Sequence, residues 1–263
     1  MRDSGVRLAW PKYIMAVTIF FLPMLIQTPC RLFGCDNTLL EMLTGSKAQD
    51  SVNEKLLVIS SKMQVTAELA KAFNHAAAEK MHQESMESWL YVATQITSDP
   101  PGSATGDIEF NPLLVKISRD LGTVRQLLAG RQSDDVHDRL ELCVSRMSLL
   151  AAIINGNTSM REFLSFELLL LGLRPLPLSF AASRAAIALA DFNAALDNLK
   201  LPQTPEVKEK TVLLKTIFAN LQDSAAADGN AFSKKTLTSY LTLYNEFSAL
   251  KKILLADKYF VAQ

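Results

Sequence analysis

The chain has 263 residues, 49% of them hydrophobic and 21% charged, and its 27 basic and 27 acidic side chains cancel to a net charge of zero. That apolar content argues for a folded chain, and ten glycines with ten prolines are few for an all-β protein. With no long basic block after residue 35 the sequence speaks against a nucleic-acid partner, which needs clustered Lys and Arg to displace phosphate counterions. The three cysteines, Cys30, Cys35 and Cys143, are too few for a disulfide framework and lack zinc-finger spacing.

Residues 1–35 read as a signal peptide or membrane anchor, and 36–263 as the domain that follows it. Arg2, Arg7 and Lys12 precede the uncharged run 14–26, "IMAVTIFFLPMLI". A positive region before an apolar one is the order of a secretory signal. The run is shorter than the roughly 20 residues of a comfortable membrane span. Basic residues on its N-terminal side hold that end in the cytoplasm and send the rest across. Leu32-Phe33-Gly34-Cys35 resembles the lipobox of bacterial lipoproteins, whereas Cys30 follows Pro29 and does not. The resemblance implies lipid attachment at Cys35, a membrane tether, and a cell-envelope location facing the periplasm or the extracellular side. Asp36 would then resemble the inner-membrane retention signal of Gram-negative lipoproteins. Cleavage to a soluble exported protein and retention of an uncut anchor stay open beside it.

From residue 36 the pattern is helical. Leu56, Ile59, Met63, Ala70, Phe73, Ala77 and Met81 share one helix face, which Trp89, Val92 and Ile96 continue. Residues 97–112, "TSDPPGSATGDIEFNP", are turn chemistry and form the longest loop, a candidate hinge. Pro112 suits the first turn of the next helix, whose face is Leu113, Leu114, Ile117, Leu121, Val124, Leu127 and Leu128. After "AGRQ", Ser133 is placed to cap another helix, with Asp134 and Asp135 at its positive end. Cys143 lies on that helix's apolar stripe as a small core residue, and "NGNTS" at 155–159 ends it.

The leucine-rich segment 163–178 contains Glu167 and Arg174. It reads as a helix buried across the bundle, or as a partner or membrane contact made by Leu168, Leu169, Leu170 and Leu171. A helix from Ala182 to Leu199 follows. Thr204, Pro205 and Glu206 then start another, as cap, first-turn proline and acid. The last helix runs from about Lys234 to Asp257 on a stripe of Leu237, Leu241, Tyr244, Phe247, Leu250 and Leu254. Lys251 and Lys252 suit its negative pole. Asp120, Leu128 and Ser133 recur 71 residues later as Asp191, Leu199 and Thr204, which suggests a repeated hairpin or a coincidence of capped helices. The fold predicted is all-α: an elongated antiparallel bundle of about six to seven helices.

Chemistry has one foothold. His75, Glu79 and His82 share a helix face at i, i+4 and i+7, and Glu-x-x-His is how bundle helices present ligands to a metal pair. Asp134 and His137 repeat the spacing at a helix start. A solvated face is the competing reading. Met63, Met81 and Met86 are read as core fillers rather than haem ligands. The sequence holds no G-x-S-x-G, no H-E-x-x-H and no glycine-rich phosphate loop. The expectation is therefore a non-enzymatic bundle without a cofactor, acting as an envelope interaction or structural module. The alternative is a metal- or ligand-binding bundle using the His75/Glu79/His82 face.

Overall fold

The computed structural model describes residues 50–172, 192, 194–227, 234–257 and 259–260. The N-terminal segment, Cys35 included, lies outside these residues, as do Arg174 and the rest of 173–191. Contacts divide the chain into Met1–Gly34 and Cys35–Gln263, and the description below concerns the second unit alone.

Among the described residues seven long helices form: α1 (Asp50–Lys71), α2 (His75–Ser98), α3 (Phe110–Ala129), α4 (Ser133–Ile154), α5 (Thr158–Gly172), α6 (Pro205–Ala227) and α7 (Lys234–Ala256). Residues 194–198 are also helical, and no strand occurs among the described residues. The protein is an all-α helical bundle. Around its first half, α1 packs on α2, α2 on α3, α3 on α4, and α4 back on α1, a closed four-helix arrangement. The α4 helix also packs on α5, and α6 pairs with α7. This gives α4 neighbours on both sides, and every residue from Met147 to Ile154 is buried. Its all-round apolar character there is what such a position demands.

Beyond α4 the core is aromatic. Phe163 of α5 stacks on Phe247 of α7 with ring centroids 5.1 Å apart, and meets Phe260 edge-on. Phe166 packs on Phe192 and Phe247, and Phe192 stacks on Phe218 of α6 at 4.0 Å. Here the leucine-rich segment finds its place. Leu170 and Leu171 are buried, while Leu168 and Leu169 are half-buried against the same core. The described part of the segment packs inward, as the buried-helix reading expects.

Several boundaries differ from expectation. The face from Leu56 to Ile96 belongs to two helices, broken at residues 72–74. Phe73 takes φ 57°, its amide bonds to the Ala70 carbonyl and that of Asn74 to the Leu69 carbonyl. This is the left-handed Schellman ending, with a non-glycine residue in the glycine position. The Asn74 side chain then accepts from the Ala77 amide and caps α2. The α3 helix ends the same way at Arg131, φ 56°, and α4 at Gly156, φ 66°. Ser133 does not cap α4: Gln132 holds that position, and Ser133 Oγ donates to the Ala70 carbonyl at 2.8 Å, tying α4 to the end of α1. Thr204 does cap its helix, accepting from the Val207 amide, so the two proposed repeat positions play different parts. In α7 the buried face runs through Tyr240, Leu243, Phe247, Leu250 and Leu254, and Leu237 is exposed.

Candidate functional site

One cluster of polar groups inside the bundle lies where α4 meets α5 and α7. On α4, His137, Asp138 and Glu141 occupy i, i+1 and i+4, one patch of a helix surface. One ligand atom from each lies within 4.8 Å of the others. His137 and Glu141 are buried and Asp138 is half-buried, with His137 Nδ1 3.6 Å from Asp138 Oδ1. From α7, the Tyr244 hydroxyl donates to the Glu141 carboxylate. Burial, with the negative charge of Glu141 beside it, pushes the Tyr244 phenol well above its ordinary value. Tyr240 Oη donates to the Leu170 carbonyl at 3.3 Å. Beside them, Lys251 Nζ of α7 donates to Glu167 Oε1 of α5 at 2.9 Å. Lys251, expected to sit at the negative pole of its helix, is instead buried in this pair, because α7 turns that side toward α5.

Chemically the α4 patch offers one imidazole nitrogen and two carboxylates, a donor set suited to a divalent cation. The same groups also work as braces between helices, Glu141 by holding Tyr244. A second brace lies on the four-helix side, where buried Asp120 of α3 engages Arg139 and Arg146 of α4. Asn53 of α1 and Asn155 bond each other through their side-chain amides.

The residues singled out from the sequence are arranged differently. His75 is half-buried, Glu79 exposed and His82 buried. Among the described residues, the group whose ligand atoms converge is the one on α4, not the one on α2. His82 Nε2 faces the Leu121 carbonyl of α3 at 3.0 Å, and its Nδ1 has no hydrogen-bond partner. Burial lowers its pKa, and the positive charge of Arg125 adds to that against the hydrogen bond to Leu121. Cys143 is a buried core thiol, as its stripe position implies. Sequence reading missed Glu141 and Tyr244. The His-x-x-x-Glu spacing at 137–141 is visible in the sequence, but Tyr244 joins it only through the packing of α7 on α4.

The outer face of α1 and α2 is apolar in part. Val58 is 54% exposed, Leu90 57% and Tyr91 65%. Lys55 Nζ sits 4.9 Å from the centroid of the Tyr91 ring. A groove there is lined by Glu54, Lys55, Val58, Ser88, Tyr91 and Val92. No described helix is long and apolar enough to cross a membrane. Comparison with protein families, curated proteins and solved structures finds no match for this chain.

Proposed function

We propose that the protein is an interaction or structural module of the cell envelope, a helical bundle tethered to the membrane through its N-terminal segment, with Cys35 as the lipid attachment point. The observation that carries the interaction part is the exposed pair of Val58 and Tyr91, which line one groove on the outer face of α1 and α2. Aromatic and aliphatic side chains grouped on a rigid helical surface are what a protein partner buries. The inward polar residues fit the same reading. Asp120, Glu141, Glu167 and Lys251 are each engaged in bonds between helices, so their work is to hold the surface in shape. The partner class is an envelope protein rather than nucleic acid.

Placing the photo-crosslinker benzoylphenylalanine at position 91 tests the surface in native membranes. A discrete cross-linked species from position 91, absent when the same probe replaces exposed Lys116 on α3, supports this reading. Equal labelling from both positions, or none from 91, rejects it. The tether has its own measurement, the intact mass of membrane-extracted protein. A mass beginning at Cys35 and increased by acyl chains supports lipid attachment, and a full-length mass rules it out.

A further inference from the structure

His82 is the one buried titratable side chain of α2, and it has no room for a second proton in place. The residue is 2% exposed, among Ala78, Ser85 and Trp89 on the same face of the helix. Its Nε2 lies 3.0 Å from a carbonyl oxygen, that of Leu121 on α3. A carbonyl only accepts, so Nε2 carries the hydrogen and Nδ1 is a bare lone pair. That Nδ1 is enclosed and has no hydrogen-bond partner. Protonating it would put an N–H and a full positive charge where nothing accepts the one or offsets the other, a costly burial.

The charged groups around it give no relief. The helices packed on α2 are α1 and α3. On α3, Arg125 adds a like charge, and the one buried acid, Asp120, is held by Arg139 and Arg146 of α4. On α1, Lys62 is engaged by Glu84 of α2 itself, and Glu68 is exposed. Glu79, on α2 one turn before His82, is exposed as well.

We infer that His82 is an acid-operated latch: neutral, it holds α2 against α3, and on taking a proton at Nδ1 it lets α2 move off α3 while the α6–α7 hairpin keeps its structure. The movement gives Nδ1–H access to water and relieves the repulsion from Arg125. The linkage has a definite sign. A histidine whose folded-state pKa is lowered binds fewer protons folded than unfolded. The closed state is therefore fully favoured above about 6.5, the ordinary histidine value, and loses ground as the pH falls below it.

The sequence supplies a reporter. Trp89 lies seven residues after His82, two turns or about 10.5 Å along the same face, and its Nε1 donates to Ser118 Oγ of α3 at 2.9 Å. The only other tryptophan is Trp10. In the full chain carrying Trp10→Phe, Trp89 emission is recorded from pH 8 to pH 4.5, with hydrogen exchange of α2, α3, α6 and α7 at both ends of the range. The expected result is a reversible red shift with its midpoint below 6.5 and faster exchange in α2 and α3 alone. His82→Gln, whose amide can still donate to the Leu121 carbonyl, abolishes the shift. An unchanged emission, an equal shift in His82→Gln, or exchange rising equally in α6 and α7 overturns the latch. Should His82→Gln not fold, the titration of His82 read by NMR in the otherwise native chain decides alone. A value below the ordinary one that coincides with the emission midpoint supports the latch, and any other value overturns it.

Discussion

Lys251 of α7 and Glu167 of α5 meet at 2.9 Å, and each side chain is only 8% exposed. A buried pair of this kind gains little net stability, since desolvating both charges offsets their attraction, but losing one partner strands the other. Lys251→Met is expected to cost about 3–5 kcal/mol. Adding Glu167→Leu should restore most of that. Urea unfolding of the two variants measures it. Equal loss in the single and double variants would show that Glu167 is satisfied without Lys251.

The helix ends at Phe73 and Arg131 hold side chains in the left-handed region, which costs an L-residue about 1–2 kcal/mol. Glycine avoids that cost but loses about 0.5–1 kcal/mol of chain entropy. Phe73 is 79% exposed, so its truncation gives up little packing. Phe73→Gly and Arg131→Gly should each stabilise the bundle by roughly 0.5–1 kcal/mol. Gly156→Ala at the third such ending should cost about 1 kcal/mol, through backbone conformation alone, because the added methyl would meet only Ser103 at an ordinary 3.8 Å. Thermal unfolding of the three variants checks the pattern, and a loss at Arg131→Gly would contradict it.

The same two positions explain what sequence reading recovers and what it does not. The apolar spacing of Leu113 to Leu128 and the start at Thr204-Pro205 fix α3 and α6 closely, because period and cap chemistry are local. The break between α1 and α2 carries no Gly or Pro, so an uninterrupted helix face runs through it in the sequence. Only Asn74 marks the new start. Glu167 and Lys251 stand 84 residues apart, and nothing local makes either a core residue. The cluster at Glu141 shows the same limit: its spacing from His137 is local, while Tyr244 reaches it from another helix. His82 looked like a ligand by spacing, but its environment comes from α3.

Asn157 closes the turn between α4 and α5 with both ends of its amide. Its Oδ1 accepts from the Met160 amide at 2.9 Å as a helix cap, and its Nδ2 donates to the Phe260 carbonyl at 2.9 Å. Asn157→Ala removes a cap worth about 1 kcal/mol and a hydrogen bond of similar size. A loss near 2 kcal/mol is expected. Asn157→Asp keeps the acceptor and loses the donor, and should fall between. If Asp and Ala lose equally, the cap contributes nothing here and the tie to Phe260 carries the effect.

Tyr244 makes the bundle sensitive to alkali. Its phenol is pushed up, first by burial and then by the charge of Glu141, whose carboxylate accepts its hydrogen bond. Below pH 10 the phenol is protonated in both folded and unfolded chains, and the bond to Glu141 contributes in full. Above pH 10 the unfolded chain releases this proton while the folded chain keeps it. Stability then falls by about 1.4 kcal/mol per pH unit from this group alone. Tyr244→Phe removes that dependence. It should lower stability at pH 8 by about 1–3 kcal/mol, because the carboxylate loses its hydroxyl donor, and should then decline less steeply between pH 10 and 11 than the native chain. Urea midpoints across that range separate the two effects. Parallel curves would mean that Tyr244 ionises equally in both states, and the burial of its hydroxyl against Glu141 would have no energetic consequence.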